Sequence, residues 1–267
     1  MDGTTTAALT ILLGGSIGVL QGALGAGGAI LTIPALVHVL GVPLEIATVT
    51  SLVVTLANAT TGSFHAWRAQ RVLPRTAITL GVIGVVGAFG GAWLHRGIDD
   101  TIVLALFSVV MMGAAVSMAR GRSPNDPSPI TTEGLGPRRL ARLTVVGTAV
   151  GLMTGFFGVG GGFLLVPALV TALGVPMRLA PGTSMLAIAL NATWGLAAHL
   201  GDAHVDPVVA GLFGTAGVIG VTVGGRVSAR VGDDRLRRAF AVMVAALAIF
   251  TLVRDLPGLI SLVNAST

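Results

Sequence analysis

The stretch GVLQGALGAGGAILTIPALVHVLGVP, residues 18–43, returns 133 positions later as GLMTGFFGVGGGFLLVPALVTALGVP, residues 151–176. Extended without a gap from Gly18 to Gly62, the comparison gives 21 identities in 45 positions, far above chance. The pairs include Gly25 with Gly158, Gly27 with Gly160, Gly28 with Gly161, Pro34 with Pro167, Thr50-Ser51 with Thr183-Ser184, and Asn58 with Asn191. The chain is therefore a duplication. Residues 1–119 and 143–267 form the two halves, and residues 120–142, with Pro124, Pro127, Pro129 and Pro137, have the composition of a flexible linker. The period far exceeds that of a solenoid repeat and matches the duplicated halves of secondary carriers.

Composition says where such a chain resides. Of 267 residues, 53% are hydrophobic and 10% charged, and 39 are glycine; the mean hydropathy is +0.90. A soluble domain carries about 25% charge. This chain cannot cover a soluble surface, so soluble enzymes and nucleic-acid modules are excluded. The sequence pI near 11.5 arises from arginines that sit between apolar runs, which argues against reading it as a nucleic-acid signal. With no cysteine there is no disulfide framework and no thiolate metal site.

Ten charge-free stretches follow one another: 7–24, 29–41, 46–66, 76–95, 101–119, 143–157, 162–174, 179–200, 207–225 and 239–253. About 20 helical residues cross the hydrocarbon core of a bilayer. The stretches at 46, 76, 101, 179 and 207 reach that length, and the one at 239 does so with its flanks. Those at 29 and 162 do not, which predicts half-helices or re-entrant segments after glycine-rich turns. The leader Met1–Thr6 lacks a basic region, so the first stretch reads as mature protein rather than a signal peptide.

Arginine counts in short loops predict orientation. Arg68, Arg71 and Arg75 put loop 67–75 on the cytoplasmic side, as do five arginines in the linker and five in loop 226–238. Loop 201–206 carries Asp202 and Asp206 without arginine and falls outside. Because 201–206 is the copy of 67–75, the repeats are expected to be inverted, with both termini outside. Each half then crosses an odd number of times, either as five spans or as three spans and a re-entrant hairpin; parity allows both. The pair Glu45 and Arg178, equivalent under the repeat, agrees: the acid falls outside and the arginine at the cytoplasmic mouth.

The twice-occurring block of glycine-rich turn, apolar run to Pro, G-V-P and T-S pair resembles the TauE/SafE sulfite exporter family. It reads G-A-L-G-A-G-G with Pro34 and Thr50-Ser51, then G-F-F-G-V-G-G-G with Pro167 and Thr183-Ser184. The resemblance covers nearly the whole chain and implies an all-α, multi-pass permease of the bacterial inner membrane. It further implies, as substrate, sulfite, a sulfonate such as sulfoacetate, or a related small anion.

The residues supply two ways of holding an anion. In each glycine-rich turn, Gly25, Gly27 and Gly28 or Gly158, Gly160, Gly161 and Gly162, successive backbone N–H groups and the positive end of the following half-helix form a cradle. The competing reading is close helix packing, for which spacings such as Gly14, Gly18 and Gly22 are suited. A nucleotide loop is not indicated, since no Gly-Lys-Ser/Thr follows. Seven residues separate Ser51 from Asn58 and Ser184 from Asn191, so each pair shares a helix face. An asparagine recurring in both halves predicts a polar interior, against the alternative of interhelical hydrogen bonding. His38, His65 and His199 read as interfacial, and Trp67, Trp93 and Trp194 include plausible interface anchors.

No charge-free stretch holds an Asp or Glu, so a carboxylate proton relay is not expected. The first expectation is an electrogenic exporter of small oxyanions working by alternating access. Its alternatives are a gated anion channel and a proton-coupled carrier of other small organic anions. Five scattered histidines and no clustered carboxylates exclude a metal centre, and no cofactor or enzymatic chemistry is expected. The expected partners are the small anion and the lipid bilayer, without nucleic acid; self-association as a homo-oligomer is compatible with the composition.

Overall fold

The computed structural model describes residues 3–25, 29–95, 98, 100–120, 137–157, 162–198 and 205–265. Among the described residues ten α-helices follow in order: α1 (Gly3–Leu24), α2 (Ala29–Pro34), α3 (Leu44–Arg68), α4 (Pro74–His95), α5 (Asp100–Arg120), α6 (Pro137–Phe157), α7 (Gly162–Pro167), α8 (Ala180–Ala198), α9 (Pro207–Arg230) and α10 (Asp233–Ala265). No strand occurs among the described residues. α1, α4, α6, α9 and α10 contain windows long and apolar enough to cross a bilayer. Large apolar side chains such as Val86, Phe89, Trp93 and Val242 are exposed, whereas Gln21, Thr50, Asn58, Thr183 and Ser184 are buried. That arrangement, apolar outside and polar within, suits lipid as solvent.

The short segments have a shared cause. After six α-helical residues, Pro34 and Pro167 interrupt the ordinary ladder, and a turn of wider π-helix follows at Ala35–Val39 and Ala168–Ala172. Leu40 N–H donates to the Ala35 carbonyl and Leu173 N–H to that of Ala168. Gly41 and Gly174 then adopt φ of +67° and +64°, conformations that end a helix and favour glycine. The G-V-P motif is this stop. Next comes a proline in extended backbone, Pro43 with ψ 142°, which starts α3.

Glycine stripes fix the helix directions. Gly14, Gly18 and Gly22 of α1 lie against Phe213, Gly217 and Val221 of α9, so these helices run parallel with backbones in contact. In the other half, Gly147, Gly151 and Gly155 of α6 lie against Ile83, Gly84 and Ala88 of α4, also parallel. The second set is the first set shifted by the repeat, with partners exchanged. α3 meets α8 in antiparallel register, with Gly195 against Leu52, Gly62 against Met185 and Gly182 against Ala66. α3 runs parallel to α9, since Asn58 lies against Gly217 and Val221 against Gly62. α4 runs parallel to α8, with Gly81 against Ala187 and Leu190 and Gly84 facing Asn191. These stripes bear out the packing role of Gly14, Gly18 and Gly22, whose missing side chains let backbones approach.

The helix starts follow local chemistry. Asp206 caps α9, accepting from Val208 N–H at 2.9 Å and Val209 N–H at 3.1 Å, with Pro207 at the first helical position. At the equivalent start of α4, Leu73 precedes Pro74 and has no such side chain. Its N–H instead donates to Thr183 Oγ1 at 3.0 Å, a bond between the halves.

Candidate functional site

The predicted site residues divide into three groups along the α3–α8 crossing. At one end, Gly25 follows α1 with φ +90° and is buried. A methyl group on it would stand 2.7 Å from both Pro181 Cα and Ser184 Oγ, so Gly25 seats directly on the start of α8. Gly25 and Ser184 are thereby brought together. Gly27, Gly28, Gly158, Gly160 and Gly161 lie outside the described residues, and Gly162 is buried at the first position of α7.

The middle of the crossing holds the asparagines. In the antiparallel register, Asn58 stands level with residue 189 and Asn191 with residue 56, so both flank the point where equivalent positions of α3 and α8 meet. Asn58 is fully buried and donates from Nδ2 to Gln21 Oε1 at 3.1 Å; its Oδ1 has no protein partner. It also rests on α9, where a methyl on Gly217 would come within 2.8 Å of its amide. Asn191 has a buried Oδ1 without a protein partner. Ser51 lies toward the far end of the crossing, so the structure does not bring it to Ser184. Each serine hydroxyl donates within its own helix, Ser51 to Thr48 and Ser184 to Pro181.

Arg178 is exposed at the same end as Gly25. It rims a cavity of about 270 Å³ lined also by Arg71, Arg226, His65 and Ser228, with no acidic residue among its walls. From the helix directions, Gly22, Gly62, Met185 and Val221 make its inner end. Three guanidinium groups around one opening set up a positive potential that concentrates anions.

The adjacent threonines differ. Thr183 accepts from Leu73 N–H and donates to the Leu179 carbonyl at 2.7 Å. Thr50, its equivalent, is equally buried, and its hydroxyl has no protein partner. Sequence reasoning named Arg178 but missed Arg71 and Arg226 as its companions at the cavity, and Gln21 as the partner of Asn58. For the arginines the signal was their concentration in loops assigned to one face. For Gln21 it was a lone amide in an otherwise apolar helix.

A family model described as sulfite exporter TauE/SafE matches residues 10–251. A probable membrane transporter protein of Xylella fastidiosa is 35% identical over 260 residues, covering 95% of this chain and 97% of that protein. One of Methanocaldococcus jannaschii is 28% identical over 198 residues, 72% of each. Another, of Haemophilus influenzae, is 26% identical over 267 residues, covering 90% of this chain and 96% of that protein.

Proposed function

Since the chain belongs to the TauE/SafE sulfite exporter family and is a multi-pass membrane transporter, we propose that it exports small sulfur-containing oxyanions from the cytoplasm by alternating access. The substrates are sulfite, sulfoacetate or similar organosulfonates, carried without enzymatic chemistry. The observation that carries this reading is the vestibule of Arg71, Arg178, Arg226 and His65, free of carboxylates among its lining residues. A cation carrier would not gather three guanidinium groups at one mouth.

In this reading residues 1–119 and 143–267 are inverted repeats joined by a cytoplasmic linker, 120–142. Helix directions support the inversion. α1 and α3 both run parallel to α9, whereas α4, the repeat equivalent of α9, follows the antiparallel α8. If α1 and α3 point the same way, the chain between them must return toward the opposite face, and α2 lies in that interval. Five segments per repeat then place both termini outside and the arginine-rich vestibule inside, at the bacterial inner membrane. An inside-negative potential contributes about 2.3 kcal/mol per charge and 100 mV to export of an anion, so no co-ion is required.

Proteoliposome flux with an imposed potential tests this. Sulfite or sulfoacetate should exit faster when the lumen is negative, should show counterflow exchange, and should exceed sulfate and thiosulfate. Flux without counterflow, in unitary current steps, would replace the carrier by a channel. Absence of anion flux altogether would overturn the reading.

A further inference from the structure

Where α5 meets α10 a second opening lies, sharing no lining residue with the vestibule. α5 buries Val103, Phe107, Met111 and Ala115, and α10 buries their equivalents under the repeat, Leu236, Phe240, Val244 and Ala248, in the same apolar core. Beside this seam runs a groove of about 620 Å³. Its walls include Val109, Val116 and Leu252, all exposed. Gly113 and Ser117 give it depth, and a side chain begun at Gly113 would meet nothing within 4 Å. From Ser108 to Arg120 the lining follows α5 for about 18 Å at 1.5 Å per residue, close to the roughly 15 Å of hydrocarbon in one leaflet. Arg120, the last residue of α5, is exposed and is the single charged group among the described residues that line the groove.

We propose that this groove binds one anionic phospholipid from the leaflet on the linker's side, with an acyl chain along Val109, Gly113 and Val116 and the phosphate on the Arg120 guanidinium. Length and charge both point to that occupant. A groove one leaflet deep suits a chain that enters at the interface and ends at the midplane. Its charge stands at the interfacial end alone, where a lipid carries its phosphate, and a guanidinium takes a phosphate in a bidentate pair. A second copy of the chain fits less well. A two-fold dimer in a membrane has its axis along the bilayer normal, so it would bring two Arg120 side chains to the same depth across the seam. The repeat sharpens the assignment. At the positions equivalent to Gly113, Ser117 and Arg120 stand Ala246, Phe250 and Val253, so the same face of α10 offers bulk without charge, although the buried stripe is kept in both helices. The lipid site is thus a property of the first half alone.

The delipidated full-length chain in neutral detergent, titrated with phosphatidylglycerol or with phosphatidylcholine of the same acyl chains and read by native mass spectrometry, tests the proposal. Phosphatidylglycerol should bind at one site about fivefold or more tightly than phosphatidylcholine, the ratio expected for one basic side chain facing an anionic headgroup. Arg120→Gln should abolish that preference and leave phosphatidylcholine binding unchanged, because the groove keeps its shape. Ser117→Phe installs the residue of the other half and should cut binding of both lipids while detergent melting stays close to that of the parent. Gly113→Leu, which grows into open space, should do the same and decides the matter if the phenylalanine variant packs poorly. Equal binding of the two lipids by the parent, or a preference that survives Arg120→Gln, overturns the pairing of Arg120 with a lipid phosphate. Unchanged lipid binding in folded groove variants overturns the groove as the site. A dimer of the parent that dissociates in those variants assigns the groove to a second copy of the chain and overturns the lipid as its occupant.

Discussion

The two halves of this chain began as one sequence and carry different charges where they meet the aqueous phase. At the arginine-rich mouth stand Arg71, Arg178 and Arg226; the positions equivalent under the repeat are His204, Glu45 and Trp93. Thr183 is bonded to the α3–α4 turn, while Thr50 has no protein partner. Pro167 is buried in α7 and Pro34 is exposed in α2. Positions that build the fold were kept in both halves, such as the glycine stripes, the π-turns and the G-V-P stops. Those that set charge were not, and a retained pair such as Thr50 and Thr183 bonds differently in the two halves. A symmetric scaffold therefore supports an asymmetric pathway.

The largest effect should come from the turn that joins the halves. Gly25→Ala meets both the positive φ and the backbone of Pro181, so we expect at least about 2 kcal/mol of destabilisation and loss of flux. Gly41→Ala shares the positive φ but has open space around it, and should cost about 1 kcal/mol. Detergent melting of the two variants compares them directly; equal shifts would show that backbone conformation, rather than contact with α8, governs Gly25.

Next come the threonines. Thr183→Val leaves Leu73 N–H without its partner and should lower stability by about 1–3 kcal/mol. Thr50→Val removes a hydroxyl that has no protein partner and should be close to neutral. Equal losses in melting would erase this difference between the halves.

The asparagines follow. Asn58→Ala strips Gln21 of its bond and should lower melting by a few degrees as well as reducing flux. Asn191→Ala, with no side-chain bond to lose at Oδ1, should reduce flux with melting nearly unchanged. If the two variants lose folded protein alike, hydrogen bonding between helices explains both residues.

The smallest effect belongs to the rim. Arg178→Ala should slow anion entry a few-fold at low ionic strength and hardly at all in 0.5 M salt, where the Debye length falls to a few ångströms. The same substitution at Arg226 should behave alike. Slowing that persists in high salt would mean that the guanidinium contacts the substrate directly.

Much of the fold was legible because lipid imposes a simple rule on sequence: charged residues mark segment ends. The brevity of α2 and α7 was legible from the glycine-rich turns before them, and the spacing of Gly14, Gly18 and Gly22 offered close packing as a reading; the helix stops at Gly41 and Gly174 were not foreseen. Which helix meets which was not legible either. A membrane helix is apolar on the faces toward lipid and toward protein, so its periodicity does not identify its partner. The pairing of α1 with α9, and the bond from Asn58 to Gln21, emerge only from packing. Equal spacing placed Ser51 with Asn58 on one helix face and Ser184 with Asn191 on another, but not how the two faces meet. The antiparallel register of α3 and α8 separates the two serines while keeping Asn58 and Asn191 near the centre.

The exchanged glycine stripes bear on how such a chain arose. Neither α1 nor α6 packs its stripe within its own half; each finds its backbone partner across the repeat boundary. A half expressed alone would leave the bare grooves of α1 and α4 facing lipid, where nothing fits them. A single unit of this form could fill those grooves only with a second molecule of itself, which is the role that the other half of the chain takes here.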